Sequence, residues 1–152
     1  MRFYVFTLNH QKKNRGQKIY SSPVHRYAES SNLNLRCPSD LNEEEYQFIK
    51  NLKPNVVIVV AYGKILPKKI LGLKNIEFLN VHASLLPKWR GAAPIQRAIM
   101  NLDKTSGISI MKIVSKLDAG PTLIKSEIPI TSETNYESLS NQMSELGAIK
   151  IL

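Results

Sequence analysis

The stretch NVVIVVAYG, residues 55–63, constrains this chain more than any other part of it. Val56 to Val60 are all β-branched, and such side chains, stiff at χ1, pack best on a pleated strand. With no polar residue on either side of the pleat, the run predicts a strand buried on both faces. That is the pattern of a parallel sheet covered by helices. Phe3–Leu8, Leu33–Cys37, Glu77–His82, Ile108–Val114 and Thr122–Ile128 read as further strands. Asn9–Ser22, polar, basic and carrying Gly16, reads as an exposed loop. Helices are expected from Pro23 to about Ser31, with proline in the first turn, and from a cap at Asn42 through Leu52. The second has Glu43, Glu44 and Glu45 at its dipole-favoured start. A short helix is expected around Pro67–Leu71, and another from Ala93 to Leu102 with Ile95, Ala98, Ile99 and Leu102 on one stripe. Thr134-x-x-Glu137 resembles a capping box opening a last helix whose stripe is Tyr136, Leu139, Met143 and Leu146. The alternation predicts an α/β fold, an open, mostly parallel sheet with right-handed crossovers and helices on both faces. A chain of 152 residues suits one domain and would bury roughly 70% of its unfolded surface.

Composition narrows the class. The longest apolar run, Val56 to Tyr62, falls far short of the ~20 residues of a spanning helix. The opening MRFYVFTLNHQKKN lacks the apolar core of a signal peptide, so a cytoplasmic protein with no membrane partner is expected. Twenty-one Lys and Arg against twelve Asp and Glu give a formal charge of +9. That excess suits an anionic partner, or simply a surface of solvated lysines. Cys37 is the only cysteine, which excludes an internal disulfide and a cysteine-built metal site. His10, His25 and His82 are scattered without ligand spacing, and no metal is expected.

Ligands of open α/β sheets gather beyond the carboxyl ends of the strands. Two such ends carry unusual residues: AYGKILP at 61–67, and FLNVHASLLPKWRGAAP at 78–94. Asn80 and His82 are two apart on a strand and so point to one face. An imidazole exchanges protons near neutral pH, and a side-chain amide donates to an oxyanion without ionising. Asp118, in the glycine-containing turn Lys116–Gly120, would supply a third polar group. Taken alone, the Asn-x-His spacing is common and favours two structural residues.

The wider string NVHASLLPKWRGAAPIQRAI, with AYGKILP before it and LDAGP after it, is similar to the methionyl-tRNA formyltransferase family over about Val5 to Leu152. The resemblance implies a Rossmann-like domain that moves a formyl group from 10-formyltetrahydrofolate to the amino group of methionine on initiator tRNA in translation initiation. It implies that Asn80 holds the formyl oxygen as it becomes an oxyanion, that His82 stabilises that species and moves a proton, and that Asp118 orients His82 or a water and takes a proton from the ammonium. Ser84, Leu85, Leu86 and Pro87 match the folate-binding segment, and Ala61, Tyr62 and Gly63 would line the pterin slot through backbone groups. The basic segment KKNRGQK resembles an inserted loop that meets the tRNA acceptor stem, with Arg15 as the first contact and Lys12, Lys13 and Lys18 as steering charges. Lys88 and Arg90 would meet the folate tail or the tRNA end, or serve as rim charges, and Trp89 would be packing or function. Relative to the family pattern, Ala83 replaces a common glycine. The first strand–helix unit with its Gly-Thr-Pro turn and the C-terminal tRNA-binding barrel domain have no counterpart in these residues. The expectation is therefore a partial catalytic domain over 1–152, monomeric when full length. Two other readings stay open: a sugar-nucleotide formyltransferase with the same catalytic triplet, and a folate- or tRNA-binding fragment without turnover.

Overall fold

The computed structural model describes residues 3–8, 11–13 and 18–152. The element order is β1 (Tyr4–Phe6), β2 (Gln11–Lys13), β3 (Lys18–Tyr20), α1 (Pro23–Ser30), β4 (Asn34–Arg36), α2 (Glu43–Leu52), β5 (Val56–Val59), α3 (Lys68–Leu71), β6 (Glu77–His82), α4 (Pro94–Met100), β7 (Thr105–Lys112), β8 (Thr122–Pro129) and α5 (Tyr136–Ile151). This is the expected α/β alternation. The chain forms two compact units, one made of the residues up to Leu52 with Tyr62–Pro67, the other of Lys53–Ala61 with Lys68–Leu152.

In the first unit β1 and β4 pair in parallel. α1 starts where expected: Ser22 precedes Pro23, and its Oγ accepts the amide of His25 at 3.0 Å. Asn42 caps α2 in the same way, its Oδ1 2.9 Å from the Glu44 amide. Arg36 on β4 donates to Glu45 and Glu44 of α2 and lies over the Phe48 ring. Those carboxylates hold its guanidinium well above its ordinary value against the cost of burial. Cys37 is half-buried with its Sγ 3.2 Å from His25 Nδ1. Burial, with Glu29 nearby, pushes the thiol upward, which disfavours the reactive thiolate. The segment expected to be a plain loop departs from that reading: β2 and β3 pair antiparallel, Lys12 opposite Ile19 and Lys13 opposite Lys18. Backbone pairing is indifferent to the polarity of the side chains, and polar composition alone misleads there.

The second unit is built on a four-stranded sheet in the order β5-β6-β7-β8. β5 and β6 are parallel, and β7 and β8 continue the sheet antiparallel. Here the sequence-based expectation of burial is corrected. Val56, Ile58 and Val60, which share one face of the strand, are 43–59% exposed, and among the described residues β5 is an end strand paired with β6 alone. The strand buried on both faces is β7, which contains Ser106, Gly107 and Ser109. It runs between β6 and β8, and α5 packs on β7 and β8. Ile95, Ile108, Ile128, Leu139 and Met143 make the core there, with Val81, Ile99 and Leu146 against it. Truncating any one of the five to alanine would cost about 2–5 kcal/mol.

Two stripe assignments also change. Leu102 is 86% exposed, since α4 ends at Met100 and Leu102 turns out with φ 55°. Tyr136 is exposed as well. α5 starts from a capping box one residue later than expected: Asn135 Oδ1 accepts the Ser138 amide and Ser138 Oγ accepts the Asn135 amide. Thr134 is occupied in the preceding turn, its Oγ1 accepting the amide of Thr131. No helix among the described residues is long and apolar enough to cross a membrane.

Candidate active site

The second unit assembles its polar centre from three backbone features. β6 ends at His82, and the two-residue spacing puts Asn80 and His82 on one face, opposite Met111 and Ser109 of β7. The connection from β7 to β8 brings Asp118 back to them. Asn80 Nδ2 lies 3.5 Å from Asp118 Oδ1, and His82 Nδ1 lies 3.7 Å from Asp118 Oδ2. One carboxylate therefore faces both side chains. The two separations are longer than full-strength hydrogen bonds. His82 is buried and Asp118 nearly so, with side chains 8% and 12% exposed.

The third feature is the loop 83–93. Ser84 and Leu86 are buried and hold the loop itself. Ser84 Oγ donates to the Lys88 carbonyl. Ser109 Oγ, on the buried strand β7, donates to the Ser84 carbonyl at 2.7 Å and accepts the Leu86 amide at 2.9 Å. That explains a serine at the centre of the sheet, where an unpaired hydroxyl would be costly. The loop then turns through Trp89, φ 57°, and Gly91, φ 83°. The Trp89 carbonyl comes within 3.0 Å of His82 Nε2, and the Gly91 amide donates to Asp118 Oδ2 at 2.8 Å. A carbonyl can only accept, so His82 Nε2 is the donor in this contact, and Nδ1 faces the Asp118 carboxylate.

Behind the loop lies Asp103, 9% exposed. It accepts Trp89 Nε1 at 2.7 Å, Lys88 Nζ at 2.8 Å and Asn101 Nδ2 at 2.7 Å. Burial by itself pushes this carboxyl up, but hydrogen bonds from Lys88, Asn101 and Trp89 outweigh it and hold the group at about 2, below its ordinary 3.8. A carboxyl depressed on folding contributes stability at pH above its unfolded value and loses it as pH falls through the folded one. The Trp89 environment should thus persist through pH 4 and be lost only toward pH 2. Trp89 is the sole tryptophan of the chain, and an acid titration of its fluorescence checks this; a midpoint near 4 would contradict it.

The match to known proteins fits this geometry. Residues 2–152 match the family model described as formyl transferase. The chain belongs to the formyl transferase family. It is 52% identical over 150 residues to a methionyl-tRNA formyltransferase of Pelagibacter ubique, covering 97% of this chain and 48% of that protein. It is 43% identical over 150 residues to the one of Dictyoglomus thermophilum, with the same coverage of 97% and 48%. The chain thus spans about half the length of these relatives. In fold it is similar to the crystal structure of phosphoribosylglycinamide formyltransferase from Streptococcus pneumoniae TIGR4, with a TM-score of 0.78 at 16% identity, covering 99% of this chain and 95% of that one.

Within this member of the family, the residues singled out from sequence fall in three groups. Asn80, His82 and Asp118 come together, and Ser84–Pro87 adjoin them as the start of the loop. Ala61, at φ 47°, and Gly63, at φ 78°, twist the backbone after β5. Tyr62 and Gly63 belong to the first unit, where burial, followed by Glu45, Asp40 and Cys37, pushes the Tyr62 hydroxyl upward. Lys12, Lys13 and Lys18 lie on the β2–β3 hairpin, whereas Arg15 lies outside the described residues. Asp103 and Ser109 were not legible as site residues. An aspartate in an Asn-Leu-Asp turn and a serine in a strand are ordinary until a Trp N–H and an irregular loop need partners. Among the described residues no group of three or more His, Cys, Asp and Glu is placed to hold a metal ion.

Proposed function

We propose that this chain carries the formyl-transfer centre of an enzyme that formylates methionyl-tRNA with 10-formyltetrahydrofolate. The observation behind the reading is the convergence of Asn80, His82 and Asp118 at the end of β6. The donor supplies an activated formyl group. Asn80 Nδ2 donates to the formyl oxygen as it gains charge, a role an amide fills without ionising. His82 donates to the same oxygen and gives a proton to the donor nitrogen as its bond to the formyl carbon breaks. It regains one from the attacking nitrogen, which still carries two after Asp118 has taken the first. Asp118 accepts a proton from the incoming ammonium, which must shed it before the nitrogen can attack. Ser84 and Leu86 spend their side chains on the loop, so Leu85, Pro87 and backbone groups of the loop meet the folate.

The methionyl-tRNA acceptor is supported by relatives of that name at 52% and 43% identity and by the basic segment Lys12–Lys18, with Arg15 as its principal phosphate contact. The test is formyl transfer by the complete protein carrying this chain, with methionyl-tRNA and an amino-sugar nucleotide as competing acceptors. Methionyl-tRNA should be used and the sugar nucleotide refused; the reverse preference refutes the reading. In the same assay Arg15→Ala should raise the KM for tRNA, spare the folate donor and flatten the salt dependence, since each phosphate contact releases counterions. An unchanged KM and salt slope would remove Arg15 from the contact.

A further inference from the structure

The catalytic triplet does not hold its own geometry. Neither separation within it, 3.5 Å and 3.7 Å, is a firm bond. The firm bonds run to the loop, from His82 Nε2 to the Trp89 carbonyl and from the Gly91 amide to Asp118. Trp89 delivers its carbonyl from a left-handed backbone, which a residue with a Cβ keeps only when its surroundings enforce it. The Trp89 side chain is held in turn by Asp103. Its backbone is fixed at the end of α4, its amide donating to the Ala98 carbonyl at 3.0 Å. Its buried carboxylate grips the Trp89 indole and the Lys88 ammonium together, and Lys88 Nζ in turn lies 5.6 Å from the centre of the Trp89 ring. Three of its roughly four acceptor sites are used by Trp89, Lys88 and Asn101.

We propose that Asp103 is a positioning residue for the reaction centre: by holding the Trp89 side chain from behind, it fixes the Trp89 carbonyl on His82 Nε2 and so decides which imidazole nitrogen faces Asp118. Asp103 reaches no reacting atom; it acts through Trp89 and His82. The inference deepens the formyl-transfer reading and rests on it for its catalytic consequence, but the claim about the imidazole stands on geometry alone.

The test uses Asp103→Asn and Trp89→Phe. Asparagine removes the charge that pairs with Lys88, and phenylalanine removes the indole N–H together with part of the ring while keeping Asp103 with Lys88 and Asn101. Nitrogen-15 NMR of the His82 ring in the wild-type protein at high pH should show a single tautomer protonated at Nε2. Both variants should show a mixture. In formyl transfer, kcat should fall by roughly 10- to 100-fold, the scale of a misplacement of about 1 Å, with the KM for the folate donor changed less than about twofold, as expected when only the transition state suffers. Lost turnover with unmoved His82 signals would make Asp103 a purely structural residue and overturn the proposal, as would a wild-type ring protonated at Nδ1. Should Asp103→Asn fail to fold, Trp89→Phe decides alone, through the same His82 signals. A wild-type protein with no formyl transfer would sink the functional reading while leaving the NMR result to judge the positioning.

Discussion

Replacing His82 with alanine in the complete protein should slow formyl transfer by about 10² to 10⁴, the scale on which a positioned acid or base acts. Asn80→Ala should cost on the order of 10² to 10³, as the loss of one oxyanion donor does. In the proposed reaction both side chains serve charge that exists only while the formyl group is between donor and acceptor, so the KM for the folate should move far less than kcat. The structure sharpens the comparison. His82 is buried with one nitrogen committed to the Trp89 carbonyl, and its removal leaves that carbonyl and Asp118 without their shared partner. Asn80 is only half-buried and lies at the limit of bonding to Asp118; its loss should leave the loop standing. His82→Ala should accordingly lower thermal stability as well as turnover, and Asn80→Ala turnover almost alone. Losses below tenfold for both in single-turnover measurements would refute the assigned roles.

How far the site was legible depends on the range over which each piece is set. The convergence of Asn80 and His82 follows from a strand period of two, and the turn that returns Asp118 is marked by Gly120 and Pro121. These are local signals. The burial of β5 is not local: the same five β-branched residues would suit a central strand or an end strand, and only the strand order places them at the end. Conversely β7 reads as half polar, yet it is the buried strand, because its Ser109 hydroxyl serves the loop at 84–86. Asp103 is the same case at longer reach. Its meaning lies in Trp89 and Lys88, 14 and 15 residues away, and no periodicity connects them. Relationships of donor to acceptor across a loop carry no sequence signature.

Gly120→Ala should abolish most turnover, although Gly120 touches no substrate. A Cβ at this position would stand 1.8 Å from the carbonyl oxygen of Lys112 and 2.9 Å from its carbon. Both are backbone atoms at the end of β7, unable to swing aside as a flexible side chain would. The contact is this close because the connection folds directly onto the strand: the Lys112 amide donates to the Pro121 carbonyl at 2.9 Å, where the β7–β8 register also shifts. Relieving the clash means lifting the turn away from the strand. Asp118 is two residues back, already at φ 44°, and would leave with it, losing the Gly91 amide and its place before Asn80 and His82. Overpacking of this kind typically costs about 1–3 kcal/mol, a serious share of a total stability of roughly 5–15 kcal/mol. Displacing a catalytic group by about 1 Å is enough for a 10²-fold loss. The variant should therefore unfold at lower denaturant and turn over at least about 10² times more slowly, approaching the Asp118→Ala variant in rate. Gly120→Ala and Asp118→Ala together should be little worse than either alone, since the first acts by removing the second from its place. If Gly120→Ala keeps wild-type rate and stability, or if the two losses multiply, the turn does not hold Asp118 in the way its contacts indicate.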